Sequence, residues 1–155
     1  MDMPARRQLT SKLTEDQKRE SGMNTNSRTA TRSIETDSSP ELVLQFLSDP
    51  RRLPQWAPGF ADQVETDGRG GWTVTKNEKT FSLEMVAFIP AGTVDYLRQI
   101  TPEQKGGAFL RVLPRPRGGC VIVMTLPVLP GATVDETTTI LDQELQVVTK
   151  LCASL

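Results

Sequence analysis

The sequence predicts an α+β domain: an antiparallel meander of strands lying against one long C-terminal helix, with two short helices after the first strand. Three observations carry this. Leu141, Leu145, Val148, Cys152 and Leu155 recur at steps of four, three, four and three, which puts them on one stripe of a helix, with Val134 and Thr137 extending it upstream. Before that helix come strand-like runs whose separating segments are too short for crossover helices, so neighbouring strands must pair antiparallel. Between the first run and the others stand two helix starts, Ser38-Ser39-Pro40-Glu41 and Asp49-Pro50.

In chain order, residues 1–28 come first and hold no aromatic residue, no Val and no Ile. Their Ser, Thr, Asn, Lys and Arg content buries too little surface to offset chain entropy, so the stretch is expected to be a disordered arm, with the domain proper spanning 29–155. Leu9 to Glu20 has mixed charges and two leucines four apart, enough for a transient helix only. Ala30 to Thr36 alternates as a first strand. Val43, Leu44, Phe46 and Leu47 then form one helical face, and a second short helix, Arg51 to Gln55, leads into Trp56-Ala57-Pro58-Gly59-Phe60. Six further strands are expected at Phe60–Thr66, Gly71–Lys76, Thr80–Phe88, Thr93–Ile100, Ala108–Leu113 and Cys120–Leu126. Their separators carry turn chemistry: Asp67-Gly68-Arg69-Gly70, Asn77-Glu78, Pro90-Ala91-Gly92, Lys105-Gly106-Gly107 and Pro116-Arg117-Gly118-Gly119. Pro130 and Gly131 close the last strand region, and Thr133 with Glu136 makes a T-x-x-E capping box for the long helix.

Composition limits what this domain can do. Its 155 residues, 37% hydrophobic and 24% charged, suit one soluble domain with a tail. A formal net charge of −1 gives no bulk attraction to nucleic acid or anionic membranes. Residues 1–32 hold seven Lys/Arg against four Asp/Glu, and the rest eleven against fifteen, so the arm is basic and the domain acidic. No run of apolar residues is long enough for a signal peptide or a membrane span, so a cytoplasmic protein without membrane insertion is expected. Cys120 and Cys152 lack C-x-x-C spacing and read as buried small apolar residues in a reducing compartment. Histidine is absent, which removes the commonest general base and the usual triads and zinc sites.

A strand, a helix pair closing on S-D-P-x-x-L-P-x-W-x-P-G-F (Ser48 to Phe60), a G-T-V-D-Y strand (Gly92 to Tyr96), a Gly-Gly hairpin before V-I-V-M-T, and a terminal helix containing E-L follow one another. In this the chain, from about Ala30 to Leu155, resembles the helix-grip superfamily (SRPBCC) of START-related lipid-binding and polyketide cyclase/dehydrase-like proteins. The resemblance implies a curved antiparallel seven-stranded sheet wrapped around the long C-terminal helix, with an apolar ligand in a cavity between them and no cofactor. It leaves function open, since the superfamily contains carriers, receptors, ring-closing enzymes and cochaperone-like modules.

Most motif-like stretches resolve into structural features. Gly68-Arg69-Gly70-Gly71 has no helix after it and no G-K-S/T, so it is a hairpin turn rather than a phosphate loop. Arg115 and Arg117 at a hairpin tip lack interleaved aromatics, and Asp135 and Glu136 sit in the first helical turn, where acidic groups offset the macrodipole; no metal site is expected. The central strands say more. Val94, Tyr96, Arg98 and Ile100 share one face, and a phenol plus a guanidinium among aliphatics suits a carboxylate or phenolate on an apolar ligand. The alternative is that Tyr96 is core and Arg98 reaches water at the sheet's end. Phe81, Leu83, Met85 and Ala87 line the matching face of one neighbouring strand, and Cys120, Ile122, Met124 and Leu126 that of the last. For Ala108–Leu113 either parity is apolar. Trp56 and Phe60 flank a Pro-Gly turn, as a lid over a cavity mouth or as ordinary packing.

The expected ligand-binding set is therefore Trp56, Phe60, Leu83, Met85, Tyr96, Arg98, Met124, Leu141 and Leu145, with no catalytic residue or oligomeric state assigned. The expected function is a small-molecule binding module for an apolar or aromatic ligand. A cyclase or dehydratase-like enzyme in the same cavity, and a cochaperone-like interaction module using the sheet surface, stand beside it.

Overall fold

A computed structural model describes residues 28–155. The arm expected over residues 1–28, Arg28 apart, lies outside them. The first strand, β1 (Thr29–Thr36), leads into α1 (Pro40–Leu47), whose start is set by the Ser39 hydroxyl accepting from the Leu42 amide at 3.2 Å. α1 buries Val43, Leu44, Phe46 and Leu47. Asp49 caps a 3-10 turn, Pro50–Arg52, by accepting from the Arg51 amide at 3.1 Å, and α2 (Leu53–Trp56) continues from it. The next strand begins later than its sequence suggests. Phe60 and Ala61 donate their amides back to the Ala57 carbonyl, at 3.0 and 3.1 Å, so the chain is still turning there and β2 spans only Gln63–Thr66.

Five strands follow: β3 (Trp72–Lys76), β4 (Lys79–Phe88), β5 (Thr93–Thr101), β6 (Gln104–Pro114) and β7 (Cys120–Pro127). They form one antiparallel seven-stranded sheet in the order β1-β7-β6-β5-β4-β3-β2. The β3–β4 turn is Asn77-Glu78, both with positive φ (51° and 64°), the twist a two-residue hairpin needs. A correction concerns Lys105-Gly106-Gly107, expected as a turn. These residues lie inside β6, and a Cβ on Gly107 would fall 1.7 Å from the Tyr96 carbonyl oxygen. The glycine serves close strand approach, and the turn sits at Pro102 and Glu103 instead. β6 also settles its parity: Leu110 and Val112 are buried while Phe109 and Leu113 face out.

The long helix α3 (Val134–Ala153) starts where Thr133 Oγ1 accepts from the Glu136 amide at 3.1 Å. It packs on β1 and β7 and meets α1 and α2, burying Thr137, Leu141, Leu145, Val148 and Cys152. Leu155, expected on that stripe, lies past the helix end and is 62% exposed. Cys120 and Cys152 are free and buried. Burial pushes the Cys152 thiol up to about 11, with Cys120 adding to the effect, so it is held as an unreactive thiol. No helix among the described residues is long and apolar enough to cross a membrane.

Candidate functional site

β4 changes partner along its length. From Glu84 to Phe88 it pairs with β5, Glu84 opposite Leu97, whereas from Lys79 to Leu83 it pairs with β3, Leu83 opposite Trp72. Beyond Leu97 the two strands part, and β5 keeps only β6 as a neighbour. The fork opens a groove of about 450 Å³, within the range of small-molecule sites, lined by Phe81, Leu83 and Glu84 on one arm and Leu97, Arg98 and Lys105 on the other. On its rim Lys105 Nζ stands 3.5 Å from Glu84 Oε2.

Arg98 is the polar group of this fork. Its guanidinium carbon lies 4.3 Å from the centroid of Phe81 and 5.8 Å from that of Phe60, and the two rings meet edge-on at 5.3 Å. The cation is thus held on aromatic faces, a contact that orients it without neutralising it. Among the described residues Arg98 has no carboxylate within ion-pair range, and its Nε is buried with no hydrogen-bond partner. Two other strand cations are paired: Arg111 meets Asp95 at 2.8 Å and Lys76 meets Asp62 at 3.0 Å.

Tyr96, two residues earlier on the same face, is core. It is 2% exposed, its hydroxyl donates to the Leu47 carbonyl of α1, and its ring stands 6.4 Å from Trp56. Burial pushes its phenol above the ordinary tyrosine range, with Asp49 adding to the effect, so it stays protonated and committed to the backbone. Trp56 is buried as well, its Nε1 without a partner among the described residues. Leu83, Met124, Leu141 and Leu145 are also fully buried. Phe60, Met85 and Arg98 keep part of their surface exposed. The structure therefore brings Phe60 and Arg98 together at the fork, with Leu83 beneath, and places Tyr96 with Trp56 behind them in the core. Phe81, the closer platform for Arg98, stands outside the residues the sequence singled out. Its signal was present, since alternation already put it on the Leu83 face.

Among the described residues no group of three potential metal ligands gathers. The family model described as polyketide cyclase/dehydrase and lipid transport matches residues 27–146. Among solved structures, the Aha1 dimer from Colwellia psychrerythraea aligns with a TM-score of 0.62 at 15% identity, covering 81% of this chain and 96% of that one. Zhui, an aromatase/cyclase from a Streptomyces species, aligns at 0.55 with 16% identity, over 81% of this chain and 93% of that one. A START superfamily protein from Mycobacterium smegmatis aligns at 0.54 with 17% identity, over 81% and 95%. At these identities the likeness is one of fold, the helix-grip arrangement of sheet and helix. Comparison with curated proteins yields no match.

Proposed function

Because the chain belongs to the polyketide cyclase/dehydrase and lipid transport family, we propose that it is a small-molecule binding module that holds an apolar or aromatic ligand between the sheet and α3. Arg98 carries this reading. A guanidinium partly removed from water, with a buried Nε–H left unbonded, is costly until a partner arrives. A carboxylate or phenolate entering through the fork supplies that partner, and the faces of Phe60 and Phe81 receive the apolar body beside it. The binding partner is accordingly an apolar or aromatic acid, taken up without cofactor or nucleic acid.

A cyclase or dehydratase-like enzyme is the second reading, favoured by the shared fold of the Zhui aromatase/cyclase. Tyr96 supports it poorly, because its hydroxyl is already donated to the Leu47 carbonyl. Native mass spectrometry of the purified full chain, followed by displacement of a fluorescent apolar dye with fatty acids, aromatic acids and their methyl esters, tests the binding reading. Displacement by aromatic acids at micromolar concentration is expected. Failure of every compound to displace the dye or to copurify contradicts it, and turnover of a poly-β-keto substrate would move the assignment to the enzyme.

A further inference from the structure

The two faces of the sheet are not covered alike. On the inner face Val94, Tyr96, Leu110, Val112 and Ile122 are buried, and α1 and α3 pack against the strands that carry them. Their neighbours along each strand point the other way. At the middle of that outer face large apolar side chains stand open: Val86 is 48% exposed, Phe88 62%, Phe109 37% and Leu113 49%. The strand register makes them one patch. Val86 lies opposite Asp95, and Asp95 opposite Phe109; one step along, Phe88 lies opposite Thr93, and Thr93 opposite Arg111. Leu113 follows on β6, with Val121 and Val123 beside it on β7. A contiguous exposed patch of this kind marks a contact surface.

Its charges decide what fits it. Within these rows the charged residues are one cation and one anion, Arg111 and Asp95, joined at 2.8 Å with 43% and 22% of their side chains still accessible. A face of one sign would suit an oppositely charged partner, whereas a balanced pair at the centre suits a copy of itself. Strands about 4.8 Å apart, with outward residues about 6.8 Å apart along each, set the geometry. A two-fold axis lying in the contact plane, crossing the line from Arg111 to Asp95 at its midpoint and at right angles to it, exchanges the two. Each Arg111 then meets Asp95 of the second copy. On the same grid Phe88 and Phe109 fall within about 2 Å of the axis and stack on their own counterparts, while Val86 meets Leu113. The strands of the two sheets cross steeply, as in orthogonal sheet packing.

We propose that the outer face of β4–β7 docks a second copy of this chain, forming a two-fold homodimer stacked sheet on sheet. Three outward rows on four strands cover roughly 400 Å² in projection per copy, which is the small end of specific interfaces and makes the dimer one of micromolar strength.

Analytical ultracentrifugation of the full chain, from low micromolar to submillimolar concentration, tests it. Wild type is expected to pass from monomer to dimer over that range. Arg111→Asp leaves two acids at the centre of the patch and Asp95→Arg two cations, so each variant alone should self-associate at least about ten-fold more weakly. A mixture of the two variants brings opposite charges face to face and should form the mixed dimer. Wild type that stays monomeric, a dimer that neither reversal weakens, or weakened variants that do not pair when mixed would each overturn the assignment. Should a reversal fail to fold, Phe88→Ser, an exposed change beside the axis, decides: self-association about ten-fold weaker supports the assignment, and an unchanged dimer overturns it.

Discussion

The two ends of the curved sheet are built for different ends. On the β1–β7 side α3 lies directly on the strands, and Ile122, Met124, Leu141 and Val148 are each 0% exposed. A charged pair closes its edge, Arg32 with Asp142. At the β4–β5 fork the strands part, the groove opens, and a guanidinium rests on two aromatic rings with no carboxylate within ion-pair range among the described residues. The first region spends its residues on close packing, which sets stability. The second leaves polar capacity unused, which is what a binding site requires.

The comparison is broken most severely by attacking the gripped side. Leu145 is 1% exposed at the middle of the α3 stripe, so Leu145→Asp buries an unpaired carboxylate at a cost comparable to the whole stability of a domain, roughly 5–15 kcal/mol. The variant should show no cooperative thermal transition at 25 °C and above. A melt within a few degrees of wild type would make α3 peripheral.

Next in size is a pH effect. Burial raises Glu144 from 4.5 to about 7, so between those values the folded protein keeps a proton that the unfolded chain has lost. Its contribution to stability is full below pH 4.5, is lost as pH rises to about 7, and is flat above, a total of about 3 kcal/mol. Urea unfolding of wild type and Glu144→Gln across this window should show the slope in the first and a flatter curve in the second. Parallel curves would mean that Glu144 is solvated.

A smaller loss is expected from Tyr96→Phe, which removes the hydrogen bond to the Leu47 carbonyl and leaves that acceptor buried: about 1–3 kcal/mol by chemical denaturation. Because the hydroxyl is occupied by the backbone, affinity for aromatic acids should change less than about two-fold. A large loss of affinity with unchanged stability would put Tyr96 in the site.

Much of this was legible in advance, and the exceptions have physical causes. Turn residues marked the hairpins, and the four-three spacing from Leu141 to Cys152 matched the buried stripe of α3. Gly106-Gly107 misled because glycine signals both a turn and a close approach, and only the neighbouring strand shows which. The fork was invisible because Lys79–Phe88 is one continuous alternating run, and a change of partner midway leaves no mark on alternation. Arg98 could be assigned to a face, but a long side chain's face does not say whether its head ends in water or over a ring.

The sharpest test of the fork is Arg98→Met, which keeps most of the stem's volume while removing the charged head. Since Arg98 has no ion-pair partner among the described residues, its loss strands no carboxylate, and stability should stay within about 0.5 kcal/mol of wild type. Calorimetry with aromatic acids and their methyl esters then reads the site: acids should weaken about ten- to a hundred-fold while esters change less than two-fold. Equal weakening of acids and esters would assign Arg98 to packing and contradict the account.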